Sequence, residues 1–88
     1  MAMTLTKLSA LAPSANNQVF TQVVSNRSIR FGDLVKSTGF DRTVTKQALQ
    51  ELEQANLIAE KNAGIEDFNI YFVTADGLEA EREVRRYE

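Results

Sequence analysis

The amino-acid sequence predicts a small α+β domain, mostly α, with three to five helices and a two- or three-stranded antiparallel sheet. Apolar residues recur at helical spacing in several stretches, which is typical of helices with one buried face. Two short stretches rich in branched and aromatic residues, separated by a polar loop, are typical of strands. With 88 residues we expect one domain over 1–88, with its core at about 14–87 and a short helix or arm at 1–12.

Composition excludes several classes of protein. Hydrophobic residues make up 43% of the chain and charged residues 25%, which is ordinary for a globular domain and argues against disorder or a fibrous repeat. No apolar run approaches the roughly 20 residues that span a bilayer, and the N-terminus lacks the pattern of a signal peptide. We therefore expect a cytoplasmic protein without a membrane partner. The absence of cysteine excludes disulfides and thiolate metal sites, and we expect no cofactor.

The first third of the chain predicts one short helix and one longer one. Leu5, Leu8 and Leu11 are spaced three apart, and this short helix ends before Pro13. Ser14 is the expected cap of a helix over 14–25. The buried face of that helix is predicted to contain Val19, Phe20, Val23 and Val24.

The next stretch predicts a turn between two helices. Residues 28–30 form a strand fragment that brings Ile29 into the core, followed by a helix over 31–37 with Phe31, Leu34 and Val35 on its apolar side. Gly39 ends this helix, because glycine adopts the left-handed backbone conformation without a steric penalty. Phe40 is expected to point back into the core.

The longest helical pattern covers 41–55. Asp41 is the expected cap, and Asn56 is suited to a left-handed C-terminal cap that lets Leu57 contact Leu52. The predicted apolar stripe consists of Val44, Ala48, Leu49 and Leu52, with Thr45 beside it. The opposite face is polar and contains Arg42, Thr43, Lys46, Gln47 and Gln50.

The last third predicts a hairpin and a closing helix. The strands cover 57–61 and 70–74, and the loop between them contains Glu66 and Asp67, which we expect to form a solvated tip in a flexible segment. Thr74 caps a helix over 75–87 whose charges are expected to keep a surface helix soluble. Its apolar side, with Leu78, Val84 and Tyr87, faces the body of the protein or a second subunit.

Charge is unevenly distributed along the chain. The net charge is −2, but from Arg27 to Lys46 five basic residues stand against two acidic ones, a local balance of +3. From Ala59 to the end, four basic residues stand against eight acidic ones, a balance of −4. One interpretation is a basic binding face, and the other is an ordinary solvated surface.

Three segments resemble winged helix-turn-helix proteins, and specifically the MarR-like family of transcription regulators. Residues 31–45 (FGDLVKSTGFDRTVT) are similar to that family's first helix, turn and start of the recognition helix. Residues 52–58 resemble its passage into the wing, with Asn56 in place of the usual glycine, and 73–78 resemble its closing motif, a threonine followed three residues on by glycine. The likeness covers about 19–80.

The resemblance implies a sequence-specific DNA-binding transcription regulator that places the helix at about 41–55 in the major groove. Double-stranded DNA is then the expected partner, contacted by Arg42, Thr43, Lys46 and Gln47, with Lys36 and Arg30 as further phosphate contacts. Two features depart from the family. The wing has Glu66 and Asp67 but no arginine, and the chain is shorter than a typical member.

The chemistry of these side chains suits a groove, although a plain solvated face is the alternative. Gln47 can form two hydrogen bonds with an adenine edge, Lys46 suits a guanine or a phosphate, and Thr43 offers a hydroxyl and a methyl group. Arg42 suits a phosphate, and its alternative is a surface ion pair with Asp41 or Asp33.

Two further hypotheses concern partners. Related regulators pair two-fold on matched half-sites, so we expect a homodimer. Its seam would contain Leu5, Leu8, Leu11, Val84 and Tyr87, or these residues pack on their own chain. In a second functional class, the domain is an adaptor whose acidic wing and last helix bind a basic protein. We do not expect an enzyme, because there is no histidine, cysteine or phosphate-binding glycine loop.

Overall fold

A computed structural model describes the backbone of residues 9–86 and the side chains of residues 9–84. Within this range, four complete helices and three strands follow one another. They are α1 (Ser14–Asn26), β1 (Ser28–Arg30), α2 (Phe31–Thr38), α3 (Arg42–Gln54), β2 (Ile58–Lys61), β3 (Ile70–Val73) and α4 (Ala75–Arg86). A single 3₁₀ turn, Glu66–Phe68, lies between β2 and β3, and we call it the acidic segment.

The predicted fold class is confirmed, as are the helices, the strand fragment at 28–30 and the hairpin. Each of the helix bounds that the structure describes lies within one residue of the prediction. The predicted helix end at Tyr87 lies outside the described residues, as do Leu5 and Leu8.

One predicted cap is wrong. Ser14 lies inside α1, and the residue that precedes the helix is Pro13, whose backbone is extended at ψ 133°. The carbonyl of Pro13 accepts a hydrogen bond from the Asn17 amide at 3.0 Å, and the Ser14 hydroxyl accepts one from the Gln18 side chain at 3.1 Å. Proline's fixed φ already suits the start of a helix, so the helix begins without a side-chain cap.

The three strands form one antiparallel sheet in the order β1-β3-β2. In the register, Tyr71 of β3 lies between Ile29 of β1 and Glu60 of β2. Tyr71 is buried and Ile29 packs against the core, as predicted, whereas Phe72 points to the other face and is exposed. The alternation follows from the two-residue period of a strand.

One apolar core lies between the helices and the inner face of the sheet. Its buried members from the helices include Val19, Phe20, Val23, Phe31, Leu34, Leu49 and Leu52. Phe40 packs against this core, as predicted. Leu11 is also buried, at 4% exposure, so of its two predicted placements the structure supports packing on its own chain rather than a subunit seam. Nearby, the buried Asn16 amide donates to the Ala10 carbonyl at 2.9 Å and to the Glu51 carboxylate at 3.0 Å, which ties this segment to α1 and α3.

The buried stripe of α3 differs from the prediction at one position. Ala48, Leu49 and Leu52 are buried, but Val44 is 37% exposed and Thr45 is fully buried. Thr45 fits the core because its hydroxyl donates to the Asp41 carbonyl at 2.9 Å, so no polar group is left unsatisfied. The buried stripe of α3 therefore begins at Thr45 rather than at Val44.

Both ends of α3 are fixed as predicted. The Asp41 carboxylate accepts a hydrogen bond from the Val44 amide at 2.8 Å, and Gly39 ends α2 at φ 76°. Asn56 adopts φ 62°, and the Leu57 amide bonds to the Leu52 carbonyl at 3.0 Å. These caps set the direction of α3 against the rest of the fold.

The start of α4 is held close to the end of α3. Thr74 caps the helix, since its hydroxyl accepts a hydrogen bond from the Gly77 amide at 2.9 Å. A Cβ atom on Gly77 would lie 2.1 Å from the Leu57 carbonyl oxygen, a distance that no side chain can occupy. Gly77 therefore permits the close approach of α4 to the chain that leaves α3.

Candidate nucleic-acid interface

The polar face of α3 lies opposite its buried stripe. Arg42, Thr43, Lys46 and Gln47 are all exposed. Positions four residues apart lie one above the other on an α-helix, so Arg42 with Lys46 and Thr43 with Gln47 form two adjacent rows on the exposed side. The caps at both ends and the buried stripe hold this face in a fixed orientation. Such a helix face can enter the major groove of DNA.

The acidic segment folds back onto the start of α3. Glu66 bridges two cations, with its Oε1 atom 2.7 Å from Nη2 of Arg42 and its Oε2 atom 2.6 Å from Nζ of Lys46. The Arg42 guanidinium also donates to Asp67 Oδ1. Two carboxylates therefore neutralise two cations of the predicted DNA-binding face.

Two predictions about these charges are wrong. Glu66 and Asp67 are accessible to solvent, as predicted, but they do not form the tip of a flexible loop, because they lie in a 3₁₀ turn that contacts α3. Arg42 pairs with them rather than with Asp41 or Asp33. Lys46 first, and then Arg42, hold the pKa of Glu66 below its usual value, because each donates a hydrogen bond to the charged carboxylate. The same contacts, with Asp67 contributing most, raise the pKa of Arg42.

Aromatic rings lie under both arginines of this region. The Arg42 guanidinium carbon lies 5.0 Å from the centre of the Phe31 ring, and the Arg30 guanidinium carbon lies 5.7 Å from that of Phe68. Phe31 is fully buried and packs against Tyr71 with 6.5 Å between ring centres. Arg42 therefore lies over an aromatic ring as well as beside two carboxylates. Arg30, at the end of β1, lies over a second ring.

The predicted contacts Arg30 and Lys36 are placed differently from the α3 residues. Arg30 lies at the end of β1 and contacts the acidic segment through Phe68. Lys36 is exposed in the last turn of α2. The structure thus brings Arg42 and Lys46 together through Glu66 and places Arg30 against the acidic segment. Among the described residues, Lys36 forms no ion pair with this group.

A small acidic cavity lies beside this face. It has a volume of about 370 Å³ and is lined by residues of α3 and the hairpin, among them Lys46, Glu53, Glu60, Glu66 and Tyr71. The Tyr71 hydroxyl donates to Glu60 at 2.6 Å, and burial, followed by this bond, raises the pKa of Tyr71. Burial, followed by the charge of Glu60, raises the pKa of Glu53. In the part of the chain that is described, no three acidic side chains are grouped to hold a metal ion.

The sequence did not predict that Glu66 and Asp67 would contact α3, nor that Phe31 and Phe68 would support the arginines. The ion pairs join residues 24 and 25 positions apart, and no local pattern encodes a contact at that distance. The sequence did offer one signal for this contact. Glu66 and Asp67 are adjacent in the loop between the two strands, and the preceding helix carries Arg42 and Lys46.

Solved structures share this arrangement of elements. The homodimeric winged helix-turn-helix DNA-binding domain of a possible ArsR-family transcriptional regulator from Mycobacterium bovis superposes with a TM-score of 0.79 at 17% identity. That comparison covers 98% of this chain and 78% of the other. The fold is a winged helix-turn-helix. Its wing is the hairpin of β2 and β3 with the connection that contains the acidic segment.

Two further neighbours support the same winged helix-turn-helix fold. HlyU from Vibrio cholerae has a TM-score of 0.77 at 17% identity, over 98% of this chain and 92% of the other. A mutant MarR from E. coli, solved in complex with operator DNA, has a TM-score of 0.75 at 16% identity, over 97% of this chain and 62% of the other. At such identities the likeness establishes the fold.

The sequence matches no family model and no curated protein. Among residues 9–86, no helix of this winged helix-turn-helix fold is both long enough and apolar enough to cross a membrane.

Proposed function

We propose that this winged helix-turn-helix domain is a sequence-specific DNA-binding transcription regulator that places α3 in the major groove. The observation that carries the proposal is the rigid polar face of α3, which presents Arg42, Thr43, Lys46 and Gln47 away from the core. A solved neighbour with the same fold, MarR, is bound to operator DNA. An α-helix fits the major groove, where each base pair presents a distinct pattern of donors and acceptors.

The four side chains have different roles in this proposal. Thr43 and Gln47 are exposed and take no part in the ion pairs with the wing, so they are the candidates for reading base edges. Arg42 lies at the start of α3 and is suited to a phosphate, and Lys46 to a guanine or a phosphate. Arg30 and Lys36 would add phosphate contacts from β1 and α2.

A homodimer is part of the proposal. One recognition helix contacts only a few base pairs, and two-fold pairing on matched half-sites extends the sequence that is read. The Mycobacterium bovis neighbour is homodimeric. The structure describes the side chains of two residues predicted to form the dimer seam. Leu11 belongs to the core, and Val84 of α4 is partly buried against the core. We further propose that the chain is one domain, is not an enzyme, and acts in the cytoplasm, where it would meet DNA.

An adaptor that binds a basic protein is the second candidate. The exposed apolar side chains of the wing favour it, since Ile65 is 59% exposed, Phe68 51% and Phe72 39%. Large exposed apolar groups mark interaction surfaces when they form a patch. A basic partner would compete with Arg42 and Lys46 for the carboxylates of the acidic segment.

A salt titration on random duplex DNA separates the two candidates. Fluorescence anisotropy of a labelled duplex is measured with the wild-type chain between about 50 and 200 mM salt. The regulator is expected to bind at low salt and to lose affinity steeply, because each neutralised phosphate contributes about 0.9 to the slope of log K against log salt. The adaptor is expected to show no salt-sensitive binding.

A further inference from the structure

The acidic segment is held in place by the backbone around it. The Asn69 carbonyl accepts a hydrogen bond from the Phe31 amide at 2.9 Å, which fixes the segment to the first residue of α2. The Asp67 backbone packs against α2, since a Cβ atom on Gly32 would lie 3.4 Å from the Asp67 carbonyl oxygen, which is van der Waals contact. The Asn69 side chain also accepts a hydrogen bond from the Ala63 amide at 2.8 Å, which closes the loop on itself. The fold therefore positions the carboxylates of Glu66 and Asp67.

These carboxylates bind the two side chains that a phosphate would use. A carboxylate and a phosphate offer an arginine the same paired oxygen acceptors. Glu66 uses one oxygen for Arg42 and the other for Lys46, and Asp67 accepts a further hydrogen bond from the same Arg42 nitrogen. Both cations of the α3 face are therefore paired within the chain, whereas Thr43 and Gln47 are left open on that face.

We propose that the acidic segment is an autoinhibitory element that competes with DNA phosphate for Arg42 and Lys46. This inference rests on the proposed function, since it concerns the regulation of the same face. DNA phosphates compete with Glu66 and Asp67 for the two cations, and the full attraction of both cations is available to DNA only when the carboxylates are displaced. Binding to a non-cognate DNA sequence then remains weak. At a cognate sequence Thr43 and Gln47 also contact bases, and this added binding free energy is sufficient to break the ion pairs of the acidic segment with α3.

The exposure of the ion pairs makes such a displacement feasible. The side chains of Arg42 and Lys46 are 49% and 51% exposed, and that of Glu66 is 39% exposed. Ion pairs at that exposure are weak and are screened by salt. The contact therefore reduces DNA affinity without abolishing it, and its effect is greatest at low salt.

The test compares two substitutions that remove the same charge. Glu66→Gln breaks the bridge between the two cations, and Glu79→Gln removes one exposed carboxylate from α4, which is not part of the wing. Affinity for a random duplex is measured by anisotropy at about 50 mM salt, where electrostatic differences are largest. We expect Glu66→Gln to tighten binding by about threefold to tenfold and Glu79→Gln by less than about twofold. Thermal unfolding by circular dichroism verifies that each variant is folded.

A second measurement tests whether Glu66 acts through the cations. Glu66→Gln is repeated in a chain that carries Arg42→Ala and Lys46→Ala, where we expect the gain to fall below about twofold because the paired cations are absent. Equal tightening by Glu66→Gln and Glu79→Gln would overturn the autoinhibitory role and leave DNA binding in place. The same holds if the gain persists without the cations, or if Glu66→Gln weakens binding.

Failure of the proposed function gives a different result. If neither the wild type nor the Glu66→Gln, Asp67→Asn double variant binds DNA in a salt-sensitive way, the DNA-binding function is wrong and the inference is wrong with it. Binding by the double variant alone would support both, since it would show that the acidic segment suppresses an affinity that the domain possesses.

Discussion

Truncation of Leu52 tests how α3 is anchored. Leu52 is fully buried, so Leu52→Ala removes three carbons from the core. At about 0.8 kcal/mol per buried methylene, the lost transfer free energy is about 2.4 kcal/mol. The cavity adds to this loss, and we expect the free energy of unfolding to fall by about 3–5 kcal/mol.

Val44 provides the matched control on the same helix. Its side chain is 37% exposed, so Val44→Ala is expected to lower the free energy of unfolding by about 1 kcal/mol or less. Urea unfolding followed by circular dichroism gives both values. A parallel melting curve is expected to place Leu52→Ala at least about 12 °C below the wild type, because each kcal/mol shifts a domain of this size by about 4–8 °C. Equal losses for the two variants would refute the orientation of α3 described above.

Three other predictions concern packing, base reading and assembly. Gly77→Ala is expected to lower the melting temperature although alanine favours helix, because its Cβ would lie 2.1 Å from the Leu57 carbonyl oxygen, and an unchanged melting curve would contradict that close approach. Gln47→Ala is expected to cost about 1–3 kcal/mol on a selected cognate duplex and to relax sequence choice, whereas Arg42→Ala is expected to weaken all duplexes alike and reduce the salt slope. If competition titrations show that Arg42→Ala relaxes sequence choice and Gln47→Ala weakens all duplexes alike, then Arg42 reads a base and Gln47 does not. Sedimentation at tens of micromolar is expected to show a dimer, and a monomer at every concentration would remove that part of the proposal.

The elements with local signals were predicted well from the sequence. Asp41, Gly39 and Asn56 each act within a few residues through a cap or a left-handed turn, so the bounds of α2 and α3 could be predicted from the chain alone. The strands were equally clear from their composition. Thr74 was found for the same reason, because its hydroxyl caps the helix that it precedes.

Properties that depend on neighbouring elements were predicted less well. Apolar periodicity placed Val44 in the core and Thr45 beside it, but the contacts of α3 with the rest of the fold bury the threonine, whose hydroxyl is satisfied within the helix. The contact of Glu66 with Lys46 depends on how the wing returns to the sheet, which no short pattern specifies. The candidate face was therefore predicted as a set of residues, and its pairing with the wing was not.

An NMR titration of the wild-type chain with duplex DNA shows whether α3 is the element that binds DNA. Backbone amide shifts report which element meets the DNA, whatever the affinity. We expect the largest changes in the first turns of α3, around Thr43 and Gln47, and in the acidic segment as Glu66 is displaced, with α4 unchanged. Changes confined to α4 and the outer face of the sheet, with the amides of α3 unmoved, would contradict this expectation.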